Sequence, residues 1–577
     1  MVRLDLWAPL ASAVDMDLGT RCEPMRPTAD GWWSAEPDLR HGDAYGFRLD
    51  GGDPLPDPRA LWLPDGVHGL ARAYDHGRFA WTDQKWPGRP LAGSVVYELH
   101  VGTFTPGGTL DAAVDRLDHL VELGVDLVEL MPLAAFEGRH GWGYDGVALW
   151  AVHEPYGGPD ALKRFVDACH RRGLGVLLDV VYNHLGPSGN YLARFGPYFT
   201  DAHRTPWGDA VNLDQPGSDS TRAFLLDNAE SWLRDFHLDG LRLDAVHALS
   251  DERALTLLEE LAAHVDQLAA VLGRPLSLVA ETDRNDPRAV LPRTEHGLGL
   301  TAQWDDDVHH AVHAAVTGER QGYYADFGSL AAVAKTLAGA YFHDGTWSSF
   351  RGRHHGRPVD RAAVPGQRFV VALQTHDQVG NRAAGGRISA ALSPGLLRVA
   401  STLVLTSPFT PMLFMGEEWA AGTPWAFFSS FPDPALGQAV TQGRRREFAA
   451  HGWGDAVPDP QDPATFAASV LDWAEPAREP HASVLGWYRA LLALRRAEPD
   501  LRDARLDRVA VAHSEAHQWL VVTRGSLRVA ANLSGQERVV PLDAAPAEVL
   551  LASSAPRLAA AAVGLAPESV AVVRVSG

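Results

Sequence analysis

The sequence predicts an α/β protein: a (β/α)8 TIM barrel, preceded by an N-terminal β-sandwich domain and followed by a small C-terminal β domain. Three observations carry this. Residues 1–85 alternate apolar and polar side chains in short runs such as "VRLDLWAP" and "GDAYGFRLDG", with Gly, Pro and Asp between them. Residues 86–501 then alternate short apolar runs with amphipathic helical segments, the rhythm of parallel βα units. From 502 to 577 strand-like alternation returns in "QWLVVTR", "SLRVAANLS" and "SVAVVRVS". The expected domains are therefore 1–85 (immunoglobulin-like), 86–501 and 502–577. A length of 577 residues suits such a set, since one compact core would not hold it.

Each barrel unit can be read in order. "SVVYELHVG" is the first strand, followed by a helix over "TLDAAVDRLDHLVEL". "VDLVELMPL" is the second, and "LGVLLDVVYNH" the third, after the helix "DALKRFVDACHRRG". "LDGLRLDAV" is the fourth, after "TRAFLLDNAESWLRDF". "LSLVAETD", "LTAQWDDD", "RFVVALQTHDQ" and "PMLFMGEE" complete the eight, and "ASVLGWYRALLALRR" is the last helix. The longest apolar stretch, "LLRVASTLVLTSPFTPMLFMG", contains Arg398 and two prolines, so it reads as helix, loop and buried strand rather than a membrane span.

Composition narrows the function. A net charge of -21 argues against a nucleic-acid partner, because phosphate binding needs clustered Lys and Arg. Eighteen Trp, many in Gly- and Pro-rich segments, suit stacking on sugar rings. Cys22 and Cys169 form no disulfide framework, Cys169 falls in a helical pattern as a buried thiol, and Asp5, Asp15 and Asp17 interrupt any signal peptide. A cytoplasmic enzyme with no membrane partner and no cofactor is expected.

Chemistry collects where barrel strands end, the side on which barrels of this kind build active sites. Strand 3 ends with Asp179, Asn183 and His184; strand 4 with Arg242, Asp244 and His247; strand 5 with Glu281; strand 7 with His376 and Asp377. Arg242 and Asp244 share one strand parity, so they face one side. Clustered carboxylates raise one another's pKa, which lets one stay protonated while its neighbour is ionised. That split suits glycoside hydrolysis, where an acid protonates the leaving oxygen and a carboxylate attacks or activates water.

The stretches "DVVYNH", "GLRLDAVH", "AETD" and "QTHDQVGN" resemble, in order, the four signature regions of the α-amylase superfamily. The resemblance implies Asp244 as nucleophile, Glu281 as general acid/base and Asp377 as the group that binds and distorts the sugar. It makes Arg242 the holder of Asp244, and His184 and His376 hydrogen-bond donors to the cleaved sugar. Tyr144, in "GWGYDG", resembles the tyrosine on which that sugar stacks. His247, Trp304, Asp305, Asp306, Asp307, Gln378 and Asn381 are further expected substrate contacts. Asp179 is expected to brace Arg242, and Asn183, which resembles a calcium ligand of many α-amylases, is expected to be structural here, with no metal. Glu417 and Glu418 are expected to be loop structure. His309 and His313, four apart on a helix, read as a helix face beside the cleft in preference to a zinc site.

Longer stretches, "VVYELHVGTFTPGGTL", "TPWGDAVNLD", "DNAESWLRDFHLDGLRLDAVHAL" and the junction "LPDPRA"/"LPDGVHG", resemble the maltooligosyltrehalose trehalohydrolases, a family within that superfamily. The resemblance implies a retaining hydrolase that cleaves the α-1,4 bond next to the terminal trehalose of maltooligosyl trehalose, working alongside a maltooligosyl trehalose synthase. Retention asks for carboxylates about 5–5.5 Å apart. Branching or debranching enzymes share the layout, and a non-catalytic glycan-binding protein on the same barrel is the rival from another class. In the loop after strand 3, Tyr198, Phe199 and Trp207 are candidate stacking surfaces, with loop core the alternative. Phe431 stands roughly where the family carries a histidine.

Overall fold

The computed structural model describes residues 4–449 and 457–576. Residues 1–3 and 577, at the outer ends of the first and last expected domains, lie outside it. Eight parallel strands close into a barrel: β1 (Val96–Leu99), β2 (Leu127–Leu130), β3 (Gly175–Val180), β4 (Gly240–Leu243), β5 (Ser277–Ala280), β6 (Ala302–Trp304), β7 (Phe369–Ala372) and β8 (Thr410–Phe414). Pairing of Met412 with Val96 joins β8 back to β1. Every residue of these strands is buried, because one face fills the barrel and the other packs on helices.

Strand parity explains the interior. Val96, Leu127, Leu177, Val279, Ala302, Val370 and Met412 form one apolar cluster inside the barrel. Two residues on, at the same parity, come Glu98, Glu129, Asp179, Glu281 and Trp304. Glu98 is opposite Glu129, and Asp179 opposite Arg242, in the ladder. The barrel is therefore apolar below and polar above, and the polar layer meets the loops at the strands' C-terminal ends.

Helices cover the outside: α1 (Gly158–Arg171), α2 (Ser218–Arg234), α3 (Leu257–Leu272), α4 (Asp306–Thr317), α5 (Pro394–Leu405) and α6 (His481–Ala497). A Thr256–Glu259 capping box starts α3, and Ser393 caps α5 with Pro394 in its first turn. Cys169 is buried within α1. The stretch read as helix, loop and strand holds α5 and β8, and no helix among the described residues is long and apolar enough to cross a membrane.

Three elements differ from the sequence reading. The helix expected over 109–123 is two pieces, Leu110–Val114 and Leu117–Leu123, broken at Arg116, whose guanidinium lies 4.5 Å from the Trp473 ring centre. β7 stops at Ala372, and His376–Gly380 is a short helix, because Thr375 and Gln378 form a capping box. Likewise Asp305 ends β6 by capping α4 through the Asp307 amide. In both places a capping residue within an apolar run imitates continued strand alternation.

At the N-terminal side, Leu4–Trp7, Trp32–Ala35 and Arg26–Pro27 form one antiparallel sheet. Cys22–Pro24, Val14–Asp17, Ala44–Leu49 and Ala71–Arg72 form the second sheet of the sandwich. After α6, a five-stranded and a three-stranded antiparallel sheet make the small C-terminal domain. The long loop after β3 carries a hairpin, Phe199–Thr205 and Gly208–Val211, with Trp207 at its tip.

Candidate active site

Arg242 is the hub. Its Nη1 donates to Asp179 Oδ2 at 2.7 Å and to Asp244 Oδ1 at 2.8 Å, and its Nη2 lies 3.8 Å from Glu281 Oε2. The guanidinium lies 4.3 Å from the Trp304 ring centre, so its underside is covered by an aromatic face. A fully buried cation would be costly alone; the carboxylates of Asp179 and Asp244 bonded to it offset the lost hydration.

The remaining oxygen of Asp244 is held by Asn183, whose Nδ2 donates to Asp244 Oδ2 and to the Asp244 carbonyl, both at 2.8 Å. Asn183 Oδ1 in turn bonds His184 Nδ1, and His184 Nε2 is 3.0 Å from the Tyr144 carbonyl. The end of β3 thus positions the carboxylate at the end of β4.

Glu281 stands in a different setting. Its Oε2 accepts the Ala245 amide at 2.6 Å. Ala245 has φ 39°, a left-handed conformation that is strained for a residue with a Cβ, and the turn it makes aims that amide at Glu281. Burial, with Asp244, Asp377 and Asp306 adding to it and Arg242 opposing, pushes the Glu281 carboxyl up to about 8. Asp179 is raised by burial to about 6. One carboxyl is thus held as an acceptor of N–H bonds on both oxygens, and its neighbour is held as an acid.

Asp377 opens toward solvent, its side chain 44% exposed in the first turn of the short helix. Its Oδ1 accepts Asn381 Nδ2 at 3.2 Å and lies 3.5 Å from His376 Nε2. Gln378 donates from Nε2 to Asp306 Oδ1 at 3.1 Å, and burial raises Asp306, with Asp377 adding to the effect and His310 opposing it. The Tyr144 ring stacks on His376 at 5.3 Å between centres, and its hydroxyl donates to Asp179 Oδ2 at 2.6 Å. Asp244, Glu281, Asp377, Tyr144, His184, Arg242, His376, Asp306, Gln378 and Asn381 are therefore brought together around one opening.

Other expected contacts go elsewhere. Asp305 and Asp307 are buried: Asp305 caps α4, and Asp307 Oδ2 accepts Asn285 Nδ2 and the amides of Phe342 and His343. Trp304 lies in the barrel interior beneath Arg242. Strand pairing and caps turn these three inward, away from the opening. His247 lines a separate pocket of about 270 Å³ with Val246, Thr282 and Arg284. Tyr198 is loop core, edge-on to Trp7 and Phe224 at 5.1 and 5.3 Å. Trp207 is 52% exposed and stacks flat on His184 at 4.2 Å, which joins the hairpin tip to the site. Glu417 and Glu418 are buried against Tyr488 and against Tyr97 and His119. His309 is bonded to the Leu373 carbonyl and Tyr324, and His313 to Glu319. Among the described residues, no group of three or more His, Cys, Asp or Glu is arranged to hold a metal.

Sequence reasoning passed over two residues. Glu98, on β1, bonds His376 through its amide and ring. Its signal was a charge inside the apolar run "SVVYELHVG". Arg444 donates to the Asn381 side chain and the Gly380 carbonyl, both at 2.8 Å, from a helix with no strand-end signature.

Residues 73–204 match the family described as alpha amylase, catalytic domain, and residues 504–572 a domain of unknown function, DUF3459. A malto-oligosyltrehalose trehalohydrolase from Arthrobacter ramosus is 60% identical over 91% of this chain and 92% of its own length. Another, from Mycobacterium tuberculosis, is 52% identical over 100% of this chain and 99% of its own. A solved structure of a putative alpha amylase from Salmonella typhimurium superposes with a TM-score of 0.91 at 37% identity, covering 100% of this chain and 97% of the other.

Proposed function

This chain belongs to the malto-oligosyltrehalose trehalohydrolase family, and on that premise we propose that it hydrolyses the α-1,4-glucosidic bond next to the terminal trehalose of maltooligosyl trehalose. Trehalose leaves and a maltooligosaccharide shorter by that unit remains.

The observation that carries the reading is the unequal treatment of Asp244 and Glu281 around one guanidinium. Asp244, with both oxygens bonded to N–H donors, attacks the anomeric carbon. Glu281, raised to about 8, gives its proton to the oxygen of the departing trehalose. The ionised Glu281 then takes a proton from water, which attacks the anomeric carbon of the glycosyl–Asp244 ester; Asp244 leaves as a carboxylate, Glu281 is again protonated, and configuration is retained. Asp377, open to the cleft, holds the sugar as it flattens. Tyr144 supplies the face on which that ring rests, and His184 and His376, whose ring nitrogens are taken by Asn183 and the Tyr144 carbonyl and by Glu98 and the Tyr144 hydroxyl, hold the groups around it in place.

Trehalose has no reducing end, so the leaving-group side must accept a bent α,α-1,1-linked pair. Trp207, exposed on the hairpin and seated on His184, is the surface we assign to it. An enzyme that converts the reducing-end bond of a maltooligosaccharide to an α,α-1,1 link, a maltooligosyl trehalose synthase, supplies this substrate. We place both in the cytoplasm, with an oligosaccharide as the only ligand.

The test is product analysis on maltotriosyl trehalose, with maltopentaose and a branched glucan in parallel. Trehalose plus maltotriose, formed first as the α-anomer by proton NMR, supports the reading. Preferential action on the branched glucan would move the enzyme to branching or debranching chemistry.

A further inference from the structure

His376 sits in the polar upper layer of the barrel, fully enclosed, and its two ring nitrogens meet different partners. Nδ1 bonds Glu98 Oε1, and the His376 amide donates to Glu98 Oε2 at 3.0 Å, so one carboxylate grips both backbone and ring. Nε2 lies 2.9 Å from the Tyr144 hydroxyl. That hydroxyl's own proton is committed to Asp179 Oδ2, which also accepts Arg242 Nη1. Tyr144 therefore has only a lone pair to offer His376, and a carboxylate can only accept. Both ring nitrogens face acceptors, and an imidazole satisfies two acceptors only when both nitrogens carry protons.

We propose that Glu98 is a positioning residue that holds His376 as a doubly protonated imidazolium, and that through Tyr144, Asp179 and Arg242 this fixes the attacking carboxylate of Asp244. The chain of contacts runs unbroken: Glu98 to His376, Tyr144, Asp179, Arg242 and Asp244. With a neutral ring, Nε2 would present a lone pair to Tyr144 and compete with Asp179 for its proton. Tyr144 would turn, and the brace on Arg242 would loosen.

The charges around His376 are accounted for on each side. Glu98 comes from β1, Tyr144 from the loop before α1, Asp377 from the same short helix, and Arg242 and Asp179 from β4 and β3. Glu129, on β2 beside Glu98, is raised well above its usual range by burial, with Glu98 and Asp179 adding, so it brings no second anion. His100, near the same ring, is lowered by burial to about 3 and brings no cation. For His376 itself burial opposes the charge, but Asp377 and Glu98 outweigh it and raise the ring to about 9.

The inference rests on the proposed function only for its kinetic arm. The first arm is a titration of wild-type protein labelled with 13C in histidine, with the His376 signal identified by its loss in H376Q. The ring should remain imidazolium at pH 8; a neutral ring at pH 7 would overturn the proposal, whatever the enzyme's substrate. This arm does not depend on any variant's activity. The second arm measures hydrolysis of maltotriosyl trehalose by E98Q, H376Q and the double variant between pH 5 and 9. E98Q should lose at least about tenfold in kcat at pH 7, recover part of it toward pH 5, and keep KM within about threefold. The double variant should be no worse than H376Q. Equal fractional loss at every pH, or additive losses in the double variant, would overturn it.

Discussion

Asn183 holds Asp244 at two points, donating from one Nδ2 to the Asp244 carbonyl and to its Oδ2, each at 2.8 Å. The two atoms are the backbone and the head of one residue, so the contact fixes the side-chain torsion as well as its position. With Arg242 on the other oxygen, the carboxylate has one orientation. Asn183→Ala should lower kcat on maltotriosyl trehalose by about 10- to 100-fold, the worth of one hydrogen bond to a charged group, and leave KM nearly unchanged. A wild-type kcat would show that Arg242 alone is enough.

Asp244→Asn and Glu281→Gln should each reduce turnover of the natural substrate by at least about 1,000-fold. They separate on a maltosyl fluoride, whose leaving group needs no proton. Glu281→Gln should still form the glycosyl-enzyme, seen as a mass increase of the intact protein. Asp244→Asn should not. The reverse pattern would exchange the two assignments.

The pH profile should fall on the alkaline side near pH 8. In its proposed role as the acid Glu281 must be protonated; burial and the neighbouring Asp244 and Asp377 keep it so up to about 8. Asp306 also contributes to that rise, so Asp306→Asn should draw the limb to lower pH. An unmoved limb in that variant would separate Asp306 from the acid.

Trp207 is half exposed at a hairpin tip and its ring lies on His184, so its removal costs little packing. Trp207→Ala should raise KM for maltotriosyl trehalose about 5- to 50-fold, as expected for loss of an aromatic stacking face, with Tm within about 2 °C of wild type. A fall in Tm with unchanged KM would make it a structural clamp.

Glu417 is enclosed behind β8, and burial raises it to about 8. Its folded pKa lies above its unfolded one, so its contribution is complete below about pH 4.5 and is lost as pH rises toward 8. Glu417→Gln, still able to accept from Tyr488, should flatten the decline of Tm between pH 6 and 9. An equal decline in both proteins would assign the alkaline loss to other groups.

Much of this site is legible in the chain because a barrel strand has a period of two. The parity of Arg242 and Asp244, and the strand runs before Asp179, Glu281 and Asp377, are local properties, and they put these groups at one end of one structure. Where strands stop is less legible. Asp305 and Thr375 cap the following helices, and a cap reads like one more polar position in an alternating strand.

What the sequence by itself determined is the layered barrel, its two flanking β domains and the strand ends that carry charge, since burial pattern and turn chemistry are written residue by residue. Only the tertiary structure decided which groups touch. Glu98 and His376 are separated by 278 positions, Asn183 and Asp244 by 61, and Trp207 reaches His184 only because the hairpin folds back over it. It also sorted neighbours in one run: of Asp305, Asp306 and Asp307, Asp306 alone reaches Gln378 at the opening. Such choices depend on the closure of eight strands and the angle of each loop, and hydrogen-bond geometry over a few ångströms is not encoded in spacing along the chain.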